Sequence, residues 1–157
     1  MNPTVYIETS VISYLTARPS RDLVVAAYQQ ITREWWRDAP RRFELVSSEL
    51  VVSEAAAGDA HASRARLRLL EDINLLGTNE ETRALAEKLI EVGAVPRKAA
   101  DDAAHIAIAV ANGVDYLVTW NFRHIANATM RSTIEDVCRA AGYKSPVVCT
   151  PNELLEG

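Results

Sequence analysis

Four oxygen-bearing side chains lie at the ends of separate predicted strands and helices, far apart in the chain. They are Glu8, Glu54, Asp102 and Asn121. In an open α/β sheet, ligands gather outside the carboxyl ends of the strands, so side chains placed there converge although they are distant in sequence. Carboxylate and amide oxygens are the ligands that Mg²⁺ and Mn²⁺ prefer. The pattern therefore predicts a pocket for a hard divalent metal.

The first of these acids, Glu8, follows the apolar run Thr4–Ile7 and precedes Thr9 and Ser10. A carboxylate at such a strand-to-helix corner is aimed into the crevice. Either hydroxyl can cap the next helix, and both are close enough to orient the carboxylate or a metal-held water. The alternative is a solvated Glu that stabilises the helix N-terminus through the macrodipole.

The second acid, Glu54, is the better inward-facing candidate of its segment. It shares a predicted helical face with Leu50 and Val51, whereas Glu49 and Ser53 lie on a neighbouring face. Apolar residues on one helical face indicate the side that packs against the core. We therefore expect Glu54 to face the crevice.

The third acid, Asp102, lies in line with Ile106 and Ala109 on a predicted helix and so extends its core-facing stripe. Asp101 lies about 100° round the same helix and is expected to be exposed. His105 is three residues from Asp102 and four from Asp101, so it can contact either carboxylate. Because no second His or Cys stands at ligand spacing, a hydrogen-bonding structural role for His105 is favoured over metal ligation.

The fourth position, Asn121, follows Thr119 and Trp120 at the end of an apolar strand. Its amide oxygen can coordinate a metal weakly or hold a metal-bound water. The alternative is an Asx-type turn, in which the same oxygen accepts a backbone hydrogen bond. Arg123 and His124 follow at once and are candidates to neutralise a substrate phosphate.

Short β-branched runs alternate with longer helical patterns, which predicts β-α units and a mainly parallel sheet. The predicted strands are residues 4–7, 43–46, 73–76, 115–119 and 147–149. The predicted helices begin near Ser10, span about 22–36, run through Glu54, follow Asp59, open at a capping-box match at Thr78, follow Pro96, and span about 127–141. Four of these elements end or begin at the oxygen-bearing side chains.

Composition is that of a soluble globular protein, with 157 residues, 48% hydrophobic and 24% charged. The length favours one domain over residues 1–157. The sequence predicts no membrane span and no signal peptide, so a cytoplasmic location is expected. The net charge of −4 argues against an indiscriminate nucleic-acid binder but does not exclude a nuclease. Cys138 and Cys149 lack zinc-ligand spacing and are expected to be buried thiols.

The segments that carry the four side chains resemble, in order, those of a PIN domain, the Mg²⁺/Mn²⁺-dependent ribonuclease fold found in VapC-type toxins of prokaryotic toxin–antitoxin pairs. The similar segments are residues 5–15, 48–54, 102–107 and 115–121. The resemblance implies a three-layer α/β/α fold with about five strands. It also implies that Glu8, Glu54 and Asp102 hold the metal and that Asn121 positions a water. The residues that would orient water or RNA are Thr9, Ser10, Thr119 and Arg123.

Two positions depart from the family pattern. The usual first Asp is Glu8, which is one methylene longer, and the usual fourth acid is Asn121, which carries no charge. The longer side chain of Glu8 would shift the metal on the order of an ångström, and a displacement of that size can lower the rate about a hundredfold. We therefore expect weaker metal binding, one tightly held ion, and slow or substrate-restricted catalysis.

Two other readings remain open on sequence alone. A non-catalytic PIN-like module would bind RNA or protein with a pocket degraded at Glu8 and Asn121. A phospho-acceptor receiver fits less well, because it would want an acceptor Asp closing the third strand and a Lys closing the fifth.

Assembly is the last expectation from sequence. The helix of residues 22–37 carries Tyr28, Trp35 and Trp36, and aromatic residues are typical interface anchors. The resemblance to paired toxins also implies a homodimer and a cognate antitoxin. The predicted contact includes this helix and leaves the acidic crevices open.

Overall fold

The computed structural model describes residues 1–156. The strands are Thr4–Ile7 (β1), Glu44–Ser48 (β2), Asn74–Leu76 (β3), Tyr116–Val118 (β4) and Val147–Cys149 (β5). The helices are Thr9–Thr16 (α1), Leu23–Arg42 (α2), Glu49–Ala55 (α3), Ala60–Leu70 (α4), Glu80–Glu91 (α5), Ala100–Ala111 (α6) and Arg131–Ala140 (α7). Short 3₁₀ turns at Arg97–Ala99 and Pro151–Leu154 complete the regular structure.

The five strands form one parallel sheet in the order β3-β2-β1-β4-β5, flanked by helices in a three-layer α/β/α fold. The predicted fold class is confirmed. Val5, Tyr6 and Ile7 of the central strand are wholly buried, as expected for a parallel strand covered on both faces. No helix among residues 1–156 is long and apolar enough to cross a membrane.

The strand order reverses between β1 and β4, because the chain leaves β1 towards β2 on one side and later returns to β4 on the other. In register, Ile7 pairs with Val118. The next residue on each strand therefore emerges at the same edge of the sheet, and the Glu8 N–H donates to the Val118 carbonyl at 3.2 Å. Such a reversal point is where open α/β sheets bind ligands.

Several helix boundaries differ from the sequence-based expectation, and α7, for example, begins at Arg131 and not near residue 127. Helix α2 continues past residue 36 to Arg42, with Pro40 in its last turn. A proline there removes a single backbone donor close to the helix end, so the helix is not broken. The N-cap of α5 is Asn79 and not Thr78, because the Asn79 side chain accepts from the Thr82 N–H while the Thr82 hydroxyl accepts from the Asn79 N–H.

Candidate metal centre

Glu8 stands at the carboxyl end of β1 and is itself the N-cap of α1. Its Oε2 accepts from the Ser10 N–H at 3.1 Å, and its Oε1 accepts from the hydroxyls of Ser10 and Thr119. The side chain is only 5% exposed. The expectation that Thr9 or Ser10 caps this helix is wrong. The Glu8 side chain folds back over the first turn and is itself the N-cap.

The two hydroxyls that hold Glu8 also shape the loop after β4. The Trp120 N–H donates to Ser10 Oγ at 2.8 Å, and the Asn121 N–H donates to Thr119 Oγ1 at 2.9 Å. Each hydroxyl thus accepts from the loop backbone and donates to the carboxylate. The position of Glu8 and the path of this loop are therefore set by the same hydrogen bonds.

Glu54 enters the site from α3, the short helix that Ser48 caps. Its Oε1 accepts from the Thr9 hydroxyl and from His105 Nε2, each at 2.6 Å. Burial alone would raise the pKa of Glu54, but the hydrogen bonds that it accepts from His105 and Thr9 outweigh this effect and leave that pKa below its ordinary value. The inward orientation expected of Glu54 is confirmed, and its Oε2 has no hydrogen-bond partner among residues 1–156.

His105 is wholly buried and joins Glu54 to the sheet. Its Nδ1 lies 2.8 Å from the Tyr6 hydroxyl, which lies 2.7 Å from Ser48 Oγ. A carboxylate only accepts, so the network assigns the imidazole proton to Nε2 and makes Nδ1 the acceptor for Tyr6. Burial also raises the pKa of Tyr6, which keeps its hydroxyl protonated.

The contacts of His105 are those of a hydrogen-bonding residue, although its helical spacing would also allow contact with Asp101 or Asp102. It contacts Glu54 and neither Asp101 nor Asp102. The reason is that His105 faces the interior of the fold, whereas Asp101 is exposed and Asp102 is only partly buried.

Asp102 pairs with His124 from the loop after β4, with Oδ2 2.9 Å from Nδ1. The partner of Asp102 is thus a histidine from a distant loop, which helical spacing alone does not predict. Asp102 and Glu54 line one cavity, together with Lys98, Ala99, Ala100, Asp101, Arg123 and His124. Acids and free cations therefore face the same space.

Asn121 adopts the turn that was its alternative reading. Its Oδ1 accepts from the His124 N–H at 3.0 Å, and its backbone carbonyl accepts from the N–H groups of Ile125 and Ala126. The amide oxygen thus already has a donor. Through this turn Asn121 positions His124, and with it the partner of Asp102.

The donor set fits a divalent cation. One ligand atom each of Glu8, Glu54 and His105 lies within 4.8 Å of the other two. Because the His105 Nε2–H donates a hydrogen bond to Glu54, this nitrogen has no free lone pair, and the two carboxylates are the better ligands of this group. Two carboxylates so close repel one another unless a cation or a proton lies between them. Oxygen ligands of this kind suit Mg²⁺ or Mn²⁺.

The arrangement has a counterpart in a known family. Neither a curated protein nor a solved structure matches the chain. A family model described as PIN domain matches residues 5–128, which include the strands β1 and β4 and all four predicted oxygen ligands. The PIN fold is a nuclease fold whose members generally depend on metal ions. Because the match covers most of its length, the chain belongs to the PIN-domain family.

Proposed function

We propose that this protein is a Mg²⁺- or Mn²⁺-dependent endoribonuclease of the VapC toxin type. The observation that carries the proposal is the meeting of Glu8 and Glu54 at the strand-order reversal, with ligand atoms within 4.8 Å. Both carboxylates are held in place by fixed donors before any ion binds. Preorganised carboxylates of this kind are what a metal-dependent nuclease requires.

The proposed metal ligands are Glu8, Glu54 and Asp102. Glu54 Oε2 and Asp102 Oδ1 accept no hydrogen bond from residues 1–156, and Glu8 Oε2 accepts one. These oxygens therefore retain lone pairs for an ion. When bound, a divalent cation supplies a water of lowered pKa and stabilises charge on the scissile phosphate.

The hydroxyls near the acids have a more specific proposed role than orienting water or phosphate. Thr9 donates to Glu54, while Ser10 and Thr119 donate to Glu8. We assign all three to positioning the carboxylates. Arg123, which is exposed at the cavity of Glu54, is then the proposed contact for a substrate phosphate.

The central test is the substitution Asp102→Asn. It removes one ligand charge and keeps the acceptor for His124, so Mn²⁺-stimulated cleavage of RNA should fall by at least about a hundredfold with the circular dichroism spectrum unchanged. The matched control is Asp101→Asn, the adjacent exposed carboxylate on the same helix. Cleavage by Asp102→Asn that persists in EDTA would reveal a contaminating nuclease or different chemistry.

A second candidate is a PIN-like module that binds RNA or protein without cleaving it. It is favoured by one observation, namely that Glu8 Oε1 and Asn121 Oδ1 already accept hydrogen bonds. Calorimetric titration with Mn²⁺ separates the two candidates. A nuclease gives binding heat that the Glu8→Ala variant lacks, whereas a degraded module gives the same trace for both proteins.

We further propose a homodimer of single PIN-like domains (residues 1–157) in the cytoplasm, with a cognate antitoxin. Helix α2 supports the dimer through its partly exposed Trp36, because Trp35 is buried within its own chain and packs edge-on against Trp36. Arg33, Arg37 and Arg41 lie on the same helix. Light scattering that gives the monomer mass of 17.3 kDa at micromolar concentration would refute the dimer.

A further inference from the structure

Phe122 lies on the loop after β4, between Asn121 and Arg123. Its side chain is 46% exposed, and it is the one exposed aromatic residue in the part of the chain that the structure describes. Most large apolar side chains of this protein pack into its core. An aromatic ring left open beside a candidate active site therefore needs an explanation in terms of what it contacts.

The ring is held against a rigid aromatic support. The Trp120 ring stacks on Tyr28 with centroids 4.3 Å apart and an angle of 20° between planes. The Phe122 ring centroid lies 5.8 Å from that of Tyr28 and 6.1 Å from that of Trp120. The Trp120 indole N–H donates to Thr32 Oγ1 at 2.7 Å, which fixes the support to α2. Phe122 therefore presents a fixed surface to solvent.

The same loop connects this ring to the carboxylates. The Trp120 N–H donates to Ser10 Oγ, and Ser10 donates to Glu8. On the other side of Phe122 comes Arg123, which lines the cavity of Glu54 and Asp102. The ring and the cation are thus on neighbouring residues of one loop, and the cation faces the candidate metal centre.

The two cations of that cavity are free to bind an anion. The side chains of Lys98 and Arg123 are exposed and make neither an ion pair nor a hydrogen bond with residues 1–156. Single-stranded nucleic acids are bound in this way, by cationic groups along the backbone and aromatic rings on which bases stack. Each nucleotide of such a strand offers a phosphate for the cation and a base for the ring.

We propose that Phe122 stacks on an unpaired nucleobase of the RNA substrate, while Arg123 binds a neighbouring phosphate. The inference rests on the proposed ribonuclease function and makes the substrate class more specific. A base inside a duplex has both faces covered by its neighbours, so the contact requires single-stranded RNA or an unpaired nucleotide. Phe122 is then a specificity-determining residue.

A protein surface is the competing explanation for the exposed ring. Leu23 and Val24 at the start of α2 are 86% and 58% exposed, and Val24 lies one helical turn before Tyr28. An apolar docking surface would use these side chains together with Phe122. The unpaired Lys98 favours the nucleic acid, since lysine is depleted in protein interfaces.

The test measures the affinity of the full-length protein for a fluorescein-labelled, unstructured 12-mer of RNA by anisotropy in EDTA, where cleavage does not interfere. Stacking on one base predicts that Phe122→Ala and Phe122→Leu both weaken binding, on the order of tenfold to a hundredfold, and that Phe122→Trp retains it. The RNA annealed to its complement should bind more weakly and with little dependence on Phe122. Leu23→Ala removes an even more exposed apolar side chain without a ring and serves as the control.

The possible results separate cleanly. Full affinity in Phe122→Leu, equal losses in Phe122→Leu and Leu23→Ala, or no RNA binding by the wild type would each overturn the stacking role. An altered mass in light scattering with unchanged RNA affinity would instead assign Phe122 to a protein contact. Cleavage of RNA by the wild type with no effect of Phe122→Leu leaves the nuclease intact and removes only this inference. Binding that depends on Phe122 without any cleavage of RNA would keep the stacking role and overturn the proposed nuclease function.

Discussion

His105 Nε2 lies 2.6 Å from Oε1 of Glu54, while the opposite nitrogen of the same ring faces the Tyr6 hydroxyl at 2.8 Å. The chain of contacts ties a partly exposed carboxylate to the middle of the buried sheet. A ligand oriented in this way loses little conformational freedom when it binds an ion. The imidazole thus contributes to the site by fixing the direction of Glu54.

The lowered pKa of Glu54 predicts a specific dependence of stability on pH in EDTA. Because folding lowers this pKa, the unfolded state binds the proton more readily than the folded state. The stabilisation from ionised Glu54 is therefore fully present at pH values above its ordinary pKa of 4.5. It is lost as the pH falls through the lower pKa of the folded state. The wild type should therefore lose its advantage over Glu54→Gln in the free energy of unfolding as pH falls below 4.5. Urea titrations measure it, with Glu49→Gln as the control for net charge. An advantage that grows in acid would contradict the lowered pKa.

The hydroxyl of Thr119 is expected to matter for metal binding although it is not a proposed ligand. Thr119→Val keeps the shape of the side chain but removes the donor to Glu8 and the acceptor for the Asn121 N–H. Loss of a group that orients a ligand typically costs ten- to a hundredfold in metal affinity. Mn²⁺ titration should show this loss for Thr119→Val and near-normal affinity for Thr119→Ser. Equal affinities for both variants would mean that Glu8 does not bind the ion.

Replacing Asn121 by Asp adds a negative charge at the fourth candidate position and should strengthen Mn²⁺ binding. The carboxylate can still accept from the His124 N–H, so the loop should keep its turn. One added charge at about 5 Å in a water-like dielectric contributes roughly 1 kcal/mol, which is several-fold in affinity. Asn127→Asp is the matched control. Asn127 also accepts from a backbone N–H, that of Thr129, and its replacement by Asp adds the same charge. Similar gains in both variants would point to long-range charge alone.

Two tryptophans should differ in how well they tolerate replacement by Phe. Trp35 Nε1 is the one buried side-chain donor without a partner among the described residues, whereas the Trp120 indole donates to Thr32. Trp35→Phe removes an unsatisfied N–H, while Trp120→Phe removes a formed hydrogen bond. Trp120→Phe should therefore lower the free energy of unfolding by about 1–3 kcal/mol more than Trp35→Phe. Urea unfolding checks this order, and the reverse order would show that Trp35 has a hydrogen-bond partner.

The strands and the inward-facing acid of α3 were predictable because hydrophobic periodicity reports directly on which side of an element is buried. The strands β1 and β5 have the predicted bounds. The parallel register then brings Glu8 and Thr119 to the same edge of the sheet. Local pattern and sheet topology are thus sufficient to place this part of the site.

Side-chain partners were less predictable, since they depend on rotamers and on packing between elements distant in the chain. The spacing of His105 allows contact with an acid on its own helix, yet its ring turns inward to Glu54. Asp102 finds its partner in His124, whose backbone N–H donates to Asn121 in the turn after β4. Likewise, nothing in the spacing of Thr9 and Ser10 shows that Glu8 would cap α1.

The shared acceptor at Glu8 has a consequence for how this sequence can change over evolution. Ser10 and Thr119 both donate to the same carboxylate oxygen, and both accept from the loop after β4. An Asp at position 8 is one methylene shorter and would leave these hydroxyls without their acceptor. Related chains that carry Asp there should therefore arrange the side chains at positions 10 and 119 differently, so that the tolerance for a change at any one of the three depends on the other two.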